Sequence, residues 1–247
     1  MAKLVIGTNK QNGVPVISKV TEKLPALGLM RAKDANGKLI ASTTESQIID
    51  LTGVTDVSDY ALYRAYYNNT AISGAVDMSD LTTLSGGNAC SNMFTSCQGI
   101  TSVDLGSLTT VSGSSACASM FQGCVNLTSV NLSSLTVVSV SSACSNMFTS
   151  CTSLTSVDLG HLTTLTGSSG FSYAFSYCLS LTTVRIGNTT EIDFGTRTNV
   201  FTNMFTGCTQ NIDVYAPAAN QAQIEAFSGY PNFGATGTVT WHWNTAE

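Results

Sequence analysis

Three consecutive stretches decide how this chain folds: CSNMFTSCQGITSVDLGSLTTVSG at 90–113, CASMFQGCVNLTSVNLSSLTVVSV at 117–140 and CSNMFTSCTSLTSVDLGHLTTLTG at 144–167. Their starts at Cys90, Cys117 and Cys144 set a period of 27 residues. A fourth copy, FSYAFSYCLSLTTVRIGN, begins at Phe171. A fifth, FTNMFTGCTQNIDVYA, begins at Phe201 after a three-residue insertion, and a degenerate copy, YRAYYNNTAISGAVDMSDLTTLSG, begins at Tyr63. A fixed period of this length is the signature of stacked coils, each too small to bury its apolar face alone.

Within one copy, each position has a physical reading. Ala89, Cys90, Met93, Phe94 and Cys97 fall at i, i+1, i+4, i+5 and i+8, which predicts one face of a short helix. That helix should bury Met93 and Phe94 and turn Asn92 and Thr95 outward. The next stretch alternates, so Ile100, Val103 and Leu105 should point inward while Ser102 and Asp104 point out of a short strand. Leu108 and Val111 continue the apolar lining after a turn, and a Ser/Gly loop leads to the next copy. The expected fold is an α/β repeat solenoid of about six coils, each a short parallel strand plus a short helix, roughly 30 Å long. The expected division is residues 1–60 as an attachment or capping module, 61–216 as the solenoid and 217–247 as a second cap.

The run of Phe, two spacers, Cys, two spacers, an aliphatic, two spacers and Val resembles the BspA-like leucine-rich repeat over Tyr63 to Ala216. The ending IDVYAPAANQAQIEAF is similar to the usual close of such arrays: a last strand, a Pro, then a helix. The resemblance implies a leucine-rich-repeat-like solenoid and a surface or host-contacting role, since members occur on bacterial surfaces, in adhesins and in phage proteins. It implies no particular ligand. The period of 27 is longer than the family's usual spacing, and the extra residues fall in the Ser/Gly loop. The opening MAKLVIGTNK resembles the N-termini of small structural proteins of phages that infect gut bacteria.

Composition narrows the function classes. Charged residues make up 10% of the chain, and hydroxyls, amides and glycines supply the polarity instead. Seven of the ten basic residues lie in the first 38, and no Lys or Arg occurs from Ala65 to Val184. A repeat body without cations cannot neutralise phosphates, which argues against nucleic acid. No stretch approaches the roughly 20 apolar residues of a membrane span, so no membrane insertion is expected. The start lacks a basic-then-apolar export signal, which sets the expectation of a chain not exported by the general secretory route.

Outside the repeat, Ala2 to Val20 predicts a strand, a turn at Gln11–Gly13 and a second strand containing Pro15. After Pro217, Ala218 to Phe227 reads as a helix and TVTWHW as a strand with Val239, Trp241 and Trp243 on one face. Those tryptophans either close the end of the core or form a carbohydrate-stacking pair.

The candidate chemistry is sparse. Cys97, Cys124, Cys151, Cys178 and Cys208 share one repeat position, and Cys90, Cys117 and Cys144 another. Equivalent side chains in stacked coils point the same way, which is poor bridging geometry, so reduced buried thiol ladders are expected rather than disulfides or metal. His161 replaces the serines of neighbouring coils and reads as an exposed turn residue; no nucleophile elbow or phosphate loop occurs. No enzyme, cofactor or metal is expected. The outward strand positions form two columns, Asp77, Asp104, Asn131, Asp158, Arg185 and Tyr215, and Ser102, Ser129, Ser156 and Thr183. Asp104, Asn131, Asp158, Arg185 and Tyr215 are the candidate partner-binding surface, against simple solvation. The change to Arg and Tyr near the C-terminal end brings in the residue types enriched at binding hot spots.

The functional expectation is a virion structural protein of head- or tail-fibre or decoration type. Residues 1–60 would contact other virion proteins, the solenoid would contact a host-surface protein or glycan, and the chain could self-associate. The alternatives are a bacterial surface or secreted adhesin, and an intracellular interaction scaffold.

Overall fold

The computed structural model describes residues 54–57 and 59–245, and the backbone of a hairpin between β1 (Val5–Gln11) and β2 (Val14–Ser18). The hairpin pairs antiparallel, with Gln11 opposite Val14 and Lys10 opposite Pro15, as the first twenty residues predict. Most of the 1–60 attachment or capping module lies outside the described residues.

From Val54 onward the chain winds as a three-faced solenoid of six repeat turns. One face is built of the alternating stretches, all parallel, in two consecutive sheets: β3 (Ser73–Asp77), β5 (Gly99–Asp104) and β7 (Ser129–Asn131) in the first, β9 (Ser156–Leu159), β11 (Thr183–Ile186) and β12 (Ile212–Pro217) in the next. On the second face one parallel sheet holds the two-residue strands β4 (Thr83–Leu84), β6 (Thr110–Val111), β8 (Val137–Val138) and β10 (Thr164–Leu165), extended by Asp56 at one end and Asp193 at the other. Register is in phase with the repeat, Thr83 facing Thr110, Thr110 facing Val137 and Val137 facing Thr164. Ile100, Val103, Leu105, Leu108 and Val111 all line the core, as their spacing predicts.

The third face is where the expectation of a short helix per coil fails. Among the described residues the sole α-helix is α1 (Gln221–Glu225), preceded by a 3-10 turn at Ala218–Asn220. The CSNMFTSC segments are instead ribbons of overlapping four-residue turns. Ser91, Met93, Thr95 and Cys97 donate their N–H groups to the carbonyls three residues earlier, and the intervening Cys90, Asn92, Phe94 and Ser96 donate to Ala116, Ala118, Met120 and Gln122 of the next coil. An α-helix closes all its bonds internally and would leave adjacent coils unlinked on this face. The ribbon uses half its donors to bind the stack together, and in every coil these donors point toward the C-terminal end.

The ribbon requires a left-handed residue every fourth position: Asn88, Asn92 and Ser96 have φ of 52°, 56° and 61°. This conformation costs ordinary L-residues about 1–2 kcal/mol, less for Asn and nothing for Gly. The repeat accordingly places Asn, Ser and Gly at most of these corners. Between them the side chains face in. Thr95, expected outside, is buried, its hydroxyl donating to the Ser119 carbonyl at 2.7 Å.

Identical positions stack into columns. Tyr66, Phe94, Phe121, Phe148, Phe175 and Phe205 lie with ring centroids 5.4–6.2 Å apart and nearly parallel, within the range of favourable offset stacking. All eight cysteines are buried and unpaired. Those at the Cys97 position each donate Sγ–H to an aromatic residue's carbonyl in the preceding coil, Cys124 to Phe94 at 3.2 Å and Cys151 to Phe121 at 3.2 Å.

The C-terminal end is closed by the chain itself. Asn220 is fully buried and brackets Ile192, accepting from its N–H at 2.8 Å and donating to its carbonyl at 2.9 Å. β13 (Val239–Asn244) then adds beside β12 in parallel, Val214 facing Trp241 and Ala216 facing Trp243. The two tryptophans stack at 5.5 Å and pack on the core, with Trp241 Nε1–H donating to the Pro231 carbonyl at 3.0 Å. Half-buried, they cover the end of the core.

Candidate functional site

The outward column of this face follows the repeat but changes chemistry between its two sheets. In its N-terminal half Asp77 faces Asp104 and Asp104 faces Asn131. These side chains are occupied by their own turns. Asp77 accepts from the Ser79 N–H at 2.9 Å, and the Ser79 hydrogen bonds hold its carboxyl below the usual value. Asp104 Oδ1 accepts from Gly106 N–H at 2.9 Å and Asn131 Nδ2–H at 2.8 Å, while Asn131 Oδ1 accepts from Ser133 N–H at 3.1 Å. Each residue terminates its strand in a side-chain-closed turn, a structural task common to Asp and Asn. The serine column, Ser102 facing Ser129, carries only hydroxyls.

The C-terminal half is built differently. Asp158, Arg185, Tyr215 and His242 occupy successive strands at one register position. Asp158 holds its turn through Gly160 N–H at 2.7 Å and stands 3.8 Å from Arg185 Nε. The Arg185 guanidinium lies over the Tyr215 ring at 5.1 Å, and Tyr215 stacks on the His242 imidazole at 4.6 Å. His242 Nε2 is 2.9 Å from Asp213 Oδ1. The arrangement is a row of carboxylate, guanidinium, phenol and imidazole along the sheet, flanked by a second carboxylate.

Energetically this row is modest. An exposed ion pair at this separation contributes about 0–1 kcal/mol, and an exposed cation–π contact about 0.5–1 kcal/mol. Backbone register, not side-chain attraction, sets the spacing. The row is therefore an available surface whose groups can exchange these contacts for a partner's. Arg185 and Tyr215 were legible as a change in column chemistry. His242 was not, because β13 lies beyond the repeat, and Asp213, the next member of the serine column after Thr183, was left out of it. The alternation in VTWHWN, which places His242 opposite the tryptophans, is the signal that could have found it.

His161 is exposed, at the turn after β9. Among the described residues no group of three or more His, Cys, Asp or Glu side chains is placed to hold a metal ion, and no helix is long and apolar enough to cross a membrane.

Neither the curated proteins nor the solved structures contain a significant match to the chain. The BspA type leucine rich repeat region matches residues 55–210 in six copies. Those bounds run from the Asp56 bridge to the end of the last turn ribbon and stop just before β12. By that match the chain belongs to the BspA-type leucine-rich repeat family.

Proposed function

We propose that this protein is a non-enzymatic recognition protein of interaction or adhesin type. Its solenoid presents the Asp158–Arg185–Tyr215–His242 row to a protein partner at a cell surface. The observation that carries this reading is the row itself: a half-buried cation, phenol and imidazole held at fixed strand spacing, on a face whose other outward positions are mostly hydroxyls and turn-closing Asp and Asn. Arg and aromatic side chains supply most of the binding energy at protein interfaces. The near absence of charge elsewhere on the body leaves few competing electrostatic contacts. Surface plasmon resonance against a panel of immobilised host-surface proteins tests it. Arg185→Ala and Tyr215→Ala should each weaken the captured partner about 10-fold, and Ser102→Ala less than about twofold. Equal, negligible losses for all three would remove the row from recognition.

The narrower placement within this reading is the virion, with residues 1–60 joining other virion proteins and the solenoid projecting toward a host. It is supported by the resemblance of the opening stretch to phage structural proteins and by the low charge of the body. Proteomics of purified particles decides it, and absence of the protein there leaves the surface-adhesin reading.

A further inference from the structure

The turn ribbon of the fourth coil departs from its neighbours at two outward corners. Adjacent coils occupy these left-handed positions with Asn92 and Ser96, Ser119 and Gly123, Asn146 and Ser150, and Asn203 and Gly207. The fourth coil carries Tyr173 at φ 56° and Tyr177 at φ 57°. Tyrosine is a poor occupant of that region, and strain of this kind persists where it serves a function. The ribbon does not need it, since smaller residues build the same turns on either side.

Both rings remain in water. Tyr173 is 39% exposed, Tyr177 53% and Leu179, two residues on, 41%; with Tyr60 they are the exposed large hydrophobic side chains among the described residues. Tyr60 stands edge-on to Tyr63 at 5.6 Å, whereas neither Tyr173 nor Tyr177 has a ring neighbour among the described residues. The rings are nevertheless held. Asn203 Nδ2–H donates to Tyr173 Oη at 2.6 Å. The Tyr177 ring lies across Gly207, where an added Cβ would come within 2.5 Å of Cδ1 and Cε1. Gly207, at φ +74°, thus serves the turn and also leaves room for the ring.

The surroundings select the ligand. The ribbon segments 88–98, 115–125, 142–152, 169–179 and 199–209 contain no Asp, Glu, Lys, Arg or His. At the matching corners of the flanking coils stand Asn146 and Ser150 on one side and Asn203 and Gly207 on the other. A charged ligand would find no counter-charge there. Two rings and one leucine are also far less apolar surface than the roughly 800 Å² per partner of a standard protein interface. They match the apolar face of one or two sugar rings, with polar groups at the rim for hydroxyls.

We propose that Tyr173, Tyr177 and Leu179, with Asn203, form a binding site for a neutral oligosaccharide on the turn face, separate from the strand-face row and independent of its role. The test is calorimetric titration of the full chain with chitohexaose, cellohexaose and maltoheptaose, alongside a printed array of neutral and sialylated glycans. Tyr173→Asn and Tyr177→Ser replace each tyrosine with the residue of a neighbouring coil, so both variants should fold with an unchanged or raised Tm. We expect binding of at least one neutral glycan, lost 10-fold or more in either variant and retained in Arg185→Ala. Failure of every neutral glycan to bind, or equal binding by the variants, would overturn the proposal. So would a lowered Tm in both variants, which would assign the tyrosines to the fold. Concentration-dependent self-association that the tyrosine variants abolish, without glycan binding, would give the patch to a protein contact instead.

Discussion

Cys124 places its sulfur 3.2 Å from the Phe94 carbonyl oxygen, which also accepts the Cys97 N–H at 3.0 Å. A single cysteine thus satisfies the second lone pair of a buried carbonyl in the coil before it, a task an alanine at that position could not perform. Burial pushes the Cys97 and Cys208 thiols up from the usual 9.0 to about 11, and the more enclosed members of the ladder higher. Since thiolate is the reactive form, native protein at pH 8 should react with Ellman's reagent about 100-fold more slowly than exposed thiols do. After denaturation without reductant it should release all eight thiols; a lower count would establish disulfides. The same shift has a stability consequence. The unfolded chain loses these protons first, so ν is smaller in the unfolded state and stability falls as pH rises from about 9 toward 11. Melting temperature should decline through that window. At this scale the sequence was nearly transparent: Met93, Phe94, Cys97, Ile100, Val103 and Leu105 are all buried where their spacing put them. Thr95 was misread because a hydroxyl on a presumed helix surface said nothing of the Ser119 carbonyl waiting in the next coil.

The element that sequence reasoning misassigned is the turn ribbon, and the reason lies in its period. Inward positions at 89, 90, 93, 94 and 97 repeat every four residues. On a helix of 3.6 residues per turn, positions 89 and 97 would sit about 80° apart. Over nine residues the two templates look alike, and only the alternating donors, invisible in sequence, separate them. The ribbon makes a sharp prediction about its corners. Ser119, at φ 53°, should tolerate Gly with no loss of stability, whereas Ser119→Val should cost about 1–2 kcal/mol because a β-branched side chain fits the left-handed region badly. Gly167 is constrained differently: a Cβ there would sit 2.0 Å from the Val140 carbonyl oxygen. Gly167→Ala must push two coils apart and should lower stability by more than about 2 kcal/mol. Denaturant unfolding of the three variants measures both effects, and equal stability for Ser119→Val and Ser119→Gly would contradict the backbone assignment.

For the whole molecule, stability is a sum over coils and the interfaces between them. Removing one complete unit, residues 117–143, rejoins Ala116 to Cys144 in register. The shortened protein should fold and lose about 4.8 Å of length by small-angle scattering; a collapsed or aggregated product would show that the coils are not interchangeable. The repeat body was legible from the period and the last strand from the alternation in TVTWHW; its register beside β12 was not, because VTWHWN shares no motif with the repeats. With that register went one member of the candidate surface, His242. The turn face adds one property that no single coil possesses. Its inter-coil N–H groups all point the same way, so their peptide dipoles add along the stack instead of cancelling, as strand dipoles do in a sheet. The molecule has an electrical polarity: carbonyl oxygens and partial negative charge at the end where the chain enters the solenoid, amide hydrogens and partial positive charge where it leaves. The segment that precedes the negative end in sequence carries seven of the chain's ten cations.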